Sequence, residues 1–270
     1  MTRHLLSILS ALLATLTLGA CSDANDKNQL AVYLCDSPAD YSAVYCYVEN
    51  VELRAADTDN WTPMPLTETY FPLMELVNGK MREAARSTLS EGASYDAVRI
   101  TFSQENASVA VSGELYELAV DAADATVTIP IPTLTMTGPN TPLLFDIDIA
   151  SSVVEDPATT YGYRFRPHVT YIDTQTFGVV QGGMQVGDEA VSQRMWLRFT
   201  NNTNGETAST YCSLDPAGAF FMRLAPGDYT LEVVPADGTN ITPYSTTLTV
   251  TAQQVTDLGT ILLESTATSL

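Results

Sequence analysis

The stretches Asp96–Gln104, DAVRITFSQ, and Pro142–Val154, PLLFDIDIASSVV, decide the fold class. In the first, Val98, Ile100 and Phe102 share one face of an extended chain, and Arg99 and Thr101 share the other. In the second, Leu143, Phe145, Ile147 and Ile149 alternate with outward Asp146 and Asp148. A period of two throws successive side chains to opposite faces, so each stretch reads as a half-buried strand. The same reading extends outward to LAVYL (30–34), AVYCYVENVEL (43–53), Phe220-Met222-Leu224 and Tyr229-Leu231-Val233. Gly, Pro, Asn and Asp cut the chain between them. Helical signals are sparse, and only Glu83–Thr88, within NGKMREAARSTLSEG, is expected to form a short helix or turn. The expected fold class is all-β.

The 270 residues carry 32 acidic and 12 Lys and Arg side chains, a formal charge of −20, with 45% hydrophobic content. That content is enough to bury real cores in one large or two ordinary domains. The charge argues against a nucleic-acid partner, since neutralising phosphates needs clustered Lys and Arg. It also disfavours adhesion by charge to anionic lipid.

Residues 1–20 carry a short basic start at Arg3 and His4, an apolar run from Leu5 to Leu18, then Gly19-Ala20 before Cys21. This is the order of an export signal, shorter than the roughly 20 apolar residues of a comfortable membrane span. Leu18-Gly19-Ala20-Cys21 resembles the bacterial lipobox. That resemblance implies cleavage after Ala20, lipidation of Cys21 with acyl chains such as palmitate, and anchoring of the new N-terminus to a membrane. The alternative is an ordinary signal peptide that leaves Cys21 free. Ser22-Asp23-Ala24-Asn25-Asp26 resembles the acidic signals that send lipoproteins of Bacteroidetes-type bacteria to the outer face of the outer membrane.

Three further cysteines remain in an exported chain: Cys35, Cys46 and Cys212. The polar DSPADYSA segment (36–43) is long enough to fold the strands bearing Cys35 and Cys46 back on each other. Two readings stand, a Cys35–Cys46 cross-strand disulfide or three buried thiols acting as small hydrophobes. Neither suggests catalysis, because a nucleophilic thiol needs a positive neighbourhood or a histidine base, and His168 is the one histidine beyond the signal.

LAVYLCDSPADYSAVYCYVENVEL, FPLMELVNG, LSEGASYDAVRITFS, LLFDIDIASSVV and YGYRFRPHV, in that order, resemble the bacterial lipoprotein domain catalogued as domain of unknown function 4382 (DUF4382). The resemblance covers residues 30–174 and implies an exported, mostly β domain without assigned chemistry. From about Gln175, Asp215-Gly218-Phe220, Leu224-Pro226-Gly227-Tyr229 and the closing GTILL (259–263) are similar to the transthyretin-like sandwich of carboxypeptidase regulatory-like modules. That likeness implies a spacer, stabiliser or binding platform over residues 175–264.

Arg164, Arg166 and His168 fall on one face of YGYRFRPHV, opposite Tyr161, Tyr163 and Phe165. They read either as an anion or carboxylate site or as a solvent face paired with nearby acids. The aromatics opposite read as a sugar-stacking platform or as core. Asp57, Asp59 and Asn60 space oxygen ligands as a calcium loop would, but without the distal glycine and glutamate, so a hydrophilic hairpin tip is expected. No serine-nucleophile motif, phosphate loop or histidine metal pair is present. The organisation expected is a cleaved signal (1–20), a polar tether (21–29), two consecutive β-sandwich-like domains (30–174 and 175–264) and a tail (265–270). The function expected is that of a non-catalytic envelope lipoprotein, on the outer membrane and facing the exterior or the periplasm, that acts in binding or assembly. It would need no cofactor or metal. Its partners would be the membrane, through the lipid, and a glycan or protein ligand. The other readings are a carbohydrate-binding surface lipoprotein and a fimbria- or pilus-associated subunit.

Overall fold

The computed structural model describes residues 28–265, apart from 38, 40, 139, 215 and 237. The signal segment, Cys21, most of the tether and nearly all of the tail lie outside these residues. Among the described residues the chain is almost entirely strand, with one turn of α-helix at Ile149–Ser152 and a 3-10 turn at Leu73–Glu75. No helix among them is long and apolar enough to cross a membrane.

The apolar faces of two sheets meet in a first core. One sheet runs in the order Val169–Ile172, Thr141–Asp148, Gln29–Ser37, Arg82–Thr88. Its central pair is parallel, placing Leu30 opposite Thr141 and Ser37 opposite Asp148. The other sheet is built on Ala43–Ala55, which pairs with Ser94–Phe102 along one half and with Ser108–Val111 and Tyr70–Pro72 along the other. Val98, Ile100 and Phe102 are buried as their alternation predicts, in one core with Leu143, Phe145 and Ile147 of the first sheet and with Ile149 of the helical turn that follows it.

The long strand Ala43–Ala55 shows how one sequence serves two pairings. Its buried residues are Val44, Cys46 and Val48, then Val51 and Leu53, so the inward phase changes from even to odd numbers. The register slips between Val48 and Asn50 against Ser94–Phe102. A bulge here adds one residue and returns the second half of the strand to the core face, where a continuous period of two would have exposed it.

Glu83–Thr88 is not a helix or turn, which corrects the sequence expectation. Arg82–Thr88 is a strand antiparallel to Gln29–Ser37. Val32 lies opposite Ala85 and Tyr33 opposite Glu83, so Ala84 is an inserted residue, and both alanines are fully buried. Local helix preference of well under 1 kcal/mol per residue yields to sheet hydrogen bonds and burial.

A second core lies between two further sheets. One holds Glu189–Ala190, Gly178–Val186 and Phe220–Leu224, with Val255–Leu263 parallel to Gly178–Val186. The other runs Thr207–Tyr211, Trp196–Asn201, Gly227–Val234, Tyr244–Val250. Phe220, Leu224, Tyr229, Leu231, Val233, Ile261 and Leu263 are buried together. Tyr229 ties its own turn shut by donating its hydroxyl to the Ala225 carbonyl at 3.0 Å. Gly218, at φ +82°, presses against the Met184 carbonyl and leaves no room for a Cβ.

Replacing Ile100 by alanine is expected to cost about 2–5 kcal/mol, as truncation in a closed core does. Leu262→Ala, at a side chain 63% exposed, should change stability by less than about 0.5 kcal/mol. Urea unfolding of the two variants checks both values.

Candidate functional site

The structure places Arg164, Arg166 and His168 on one outward face, and it answers the arginine charges with carboxylates. Arg164 Nε donates to Asp156 Oδ2 at 2.8 Å and its Nη1 to Asp121, and Arg166 Nε donates to Asp124 at 3.1 Å. Hydrogen bonding to Arg164 holds the Asp156 carboxyl below its ordinary range. The His168 backbone N–H donates to Ser152 Oγ at 2.8 Å, and its side chain is exposed. On the opposite face Phe165 is fully buried edge-on against Phe102, and Tyr163 leans on Tyr116 at 5.4 Å between ring centroids. These aromatics belong mainly to the core. Asp57, at φ +59°, Asp59 and Asn60 form the tip joining Ala43–Ala55 to Trp61–Pro63, a hairpin as expected. Among the described residues no group of three His, Cys, Asp or Glu is placed to hold a metal.

The three cysteines are free and buried, so the Cys35–Cys46 disulfide is corrected. The two strands do not form a hairpin: Gln29–Ser37 pairs with Thr141–Asp148 and Arg82–Thr88, and Ala43–Ala55 lies in the other sheet. Cys46 points into the first core, while Cys35 is buried outside that core on the opposite face of its strand. There its thiol donates to the Phe145 carbonyl at 3.6 Å. Burial pushes all three thiols up, with Asp146 adding at Cys35 and Asp36 at Cys46. Thiols held protonated are poor nucleophiles.

The junction of the two cores is the most specifically built region. Asn78, in the left-handed region at φ +56°, projects its amide from the first unit into the second. Its Nδ2 donates to the Tyr211 carbonyl at 2.8 Å, and its Oδ1 accepts from the Phe221 N–H at 3.1 Å and from Thr210 Oγ1 at 3.4 Å. Tyr211 returns a bond through its hydroxyl to the Ala39 carbonyl at 3.3 Å and packs edge-on against Trp196. Gly79, at φ +78°, lets the Phe221 ring approach so closely that a Cβ would lie 2.6 Å from it. Arg223 stacks over that ring and donates to the Gly79 carbonyl at 3.4 Å.

Beside this contact a cleft of about 480 Å³ opens, lined from the first unit by Met74–Asn78 and Lys80–Arg82 and from the second by Arg194 and Tyr211–Leu214. Sequence reading missed it. Lys80 and Arg82 lie just before Glu83–Thr88, the segment expected to be a short helix or turn, and Arg194 is more than 100 residues away. Only the NG pair, which suits a left-handed turn, marked the place.

Asp36 is a different kind of group. It is buried, and neither carboxylate oxygen has a partner among the described residues. Burial, then Asp146 and Asp148, raise its pKa well above the ordinary carboxyl value. A folded-state value above the unfolded one contributes stability that is fully present below the unfolded pKa and is lost as pH rises through the folded pKa. Asp36→Asn is therefore expected to match the wild type near pH 3.5 and to be the more stable protein at pH 7, read from urea midpoints at the two pH values. Asn78→Ala is expected to lose about 1–3 kcal/mol of coupling between the units, separating one calorimetric transition into two. Gly79→Ala should do the same, whereas Gly113→Ala, which also has positive φ but no atom within 4 Å of the added methyl, should leave a single transition.

No curated protein matches the sequence. Among solved structures, the minor pilin GBS52 of Streptococcus agalactiae is 11% identical over 90% of this chain and 98% of its own, with a TM-score of 0.28. A streptococcal ancillary pilin is 9% identical over 88% of this chain and 69% of its own, at 0.28. The shaft pilin SpaA of Lactobacillus rhamnosus GG is 9% identical over 88% and 98%, at 0.24. Similarity this slight says nothing of role. The sequence match is firmer: residues 27–167, more than half of the chain, fit the family described as Domain of unknown function (DUF4382), and the protein belongs to that family.

Proposed function

We propose that the protein is a non-catalytic envelope lipoprotein, tethered through lipidated Cys21 to the outer membrane and facing the exterior, where it serves as a binding or assembly component. The observation that carries the non-catalytic part is the way its reactive side chains are spent. Arg164 and Arg166 are matched by Asp121, Asp156 and Asp124, and the thiols are buried and protonated. Groups engaged in this way stabilise a scaffold and are not poised to attack or transfer protons.

The tethered part rests on the residues around Cys21. The first strand opens at Gln29, at the end of the stretch Ser22–Gln29 read as the tether. The second unit is read as a carboxypeptidase regulatory-like platform, supported by the Tyr229 tie and the buried Ile261 and Leu263 of its closing strand. Its partners are the membrane through the lipid and a ligand presented at the surface.

Cells expressing the native chain and Cys21→Ser, grown with labelled palmitate and then fractionated, test the anchor. The native chain is expected in the membrane fraction, labelled and open to protease on intact cells. The serine variant is expected unlabelled and released. A native chain without label, or a variant that stays fully attached, refutes the reading.

A further inference from the structure

The distribution of positive charge points to a site. Six of the described basic side chains, Arg54, Arg86, Arg99, Arg164, Arg166 and Arg198, each pair with a carboxylate. Lys80, Arg82, Arg194 and Arg223 form no ion pair within 4 Å among the described residues, with Asp146 acting on Arg223 and Glu68 interacting with Arg82 only at longer range, and all four lie at the junction of the two cores. In a chain with 32 acids and 12 Lys and Arg, four described cations without a carboxylate at ion-pair distance stand out. Here they are gathered from both units into one place.

Lys80, Arg82 and Arg194 line the cleft, where Glu75 is the one acid among the described lining residues. Arg82 donates from Nη1 to the Tyr70 carbonyl at 3.2 Å, which fixes its guanidinium, and Lys80 and Arg194 are exposed. Met74, Leu76 and Cys212 form a buried apolar floor, and Leu214, 47% exposed, stands at the side. A concave site that unites an apolar floor with convergent charges is the usual form of a small-molecule pocket, and 480 Å³ is within its usual range of volume.

We infer that this cleft binds a small organic carboxylate, its anion held by Arg194, Lys80 and Arg82 and its uncharged body laid on Met74, Leu76 and Leu214. Guanidinium forks match carboxylate geometry. The rest of the molecule selects the charge of the ligand. A net charge of −20 repels a polyanion at long range, while a ligand with a single charge escapes most of that repulsion and is drawn by the local field of the cleft. The inference goes beyond the anchored role and concerns the soluble chain, so its failure leaves the Cys21 tether standing.

The chain lacking residues 1–21 is titrated by calorimetry with glucuronate and with N-acetylleucine, each beside its uncharged counterpart, glucose and N-acetylleucine amide, and with inorganic phosphate. Saturable binding of at least one carboxylate but not of its counterpart is expected, and which acid binds separates a sugar from a peptide end as the source. Arg194→Gln, at an exposed side chain, should weaken that binding about tenfold or more. Arg198→Gln, which removes an arginine already paired with Glu232, should leave it unchanged. Equal binding of the uncharged counterpart, equal binding of phosphate, no saturation up to about 10 mM, or equal loss in the Arg198 variant overturns the inference.

Discussion

The strand Gln29–Ser37 is buried on both of its faces, and the rest of the structure depends on that constraint. Leu30, Val32 and Leu34 enter the first core, while Ala31 and Cys35 are covered on the other side. A strand in the middle of a sheet with both faces removed from water has to be apolar almost throughout, and LAVYLC is. Its parallel partner arrives more than 100 residues later, so much of the first unit must be laid down before the pair can close. The outer face near Cys35 is then completed from the second unit, where Arg223 comes close enough to oppose the rise in the Cys35 pKa. Two cores are held against each other because the first sheet would otherwise present an apolar back to solvent.

The junction follows from this arrangement. Asn78 satisfies two backbone groups and a threonine hydroxyl of the second unit with one amide, and Gly79 brings the backbone close enough for that amide to reach. Hydrogen bonds of this kind are directional, so they set the relative orientation of the units, which apolar contact alone leaves loose. Where the two surfaces diverge beside the contact, a cleft remains. Around it Lys80, Arg82 and Arg194 make no ion pair within 4 Å among the described residues, while Arg54, Arg99 and Arg198 are each matched by a carboxylate. In a strongly acidic protein, carboxylates near the strands neutralise most arginines as a matter of supply.

Much of the first unit was legible in the sequence because alternation is a local property. Val98, Ile100 and Phe102, or Leu143, Phe145 and Ile147, declare their inner face without knowledge of any partner. Arg82–Thr88 did not, because its preference is helical and its sheet partner lies some 50 residues earlier. The Cys35–Cys46 pairing failed for a related reason. A short polar connection suggested a hairpin, but each strand found better partners in a different sheet, and their thiols ended on opposite sides of an apolar layer. Arg164, Arg166 and His168 did share a face as read, yet the carboxylates that answer the two arginines come from segments whose proximity no spacing rule reveals.

The sequence by itself determined the all-β class, the inward face of most strands, the turns that need glycine, the acidic surface and the residues on which the anchor reading rests. Those properties depend on neighbours within a few positions, where steric and solvation rules act directly. Only the tertiary structure decided which strands pair, where the bulges fall, that the thiols stay free, and that Lys80, Arg82 and Arg194 line one cleft. Those outcomes depend on the competition of long-range partners for the same buried surface, and a winner is settled only when the whole chain has packed.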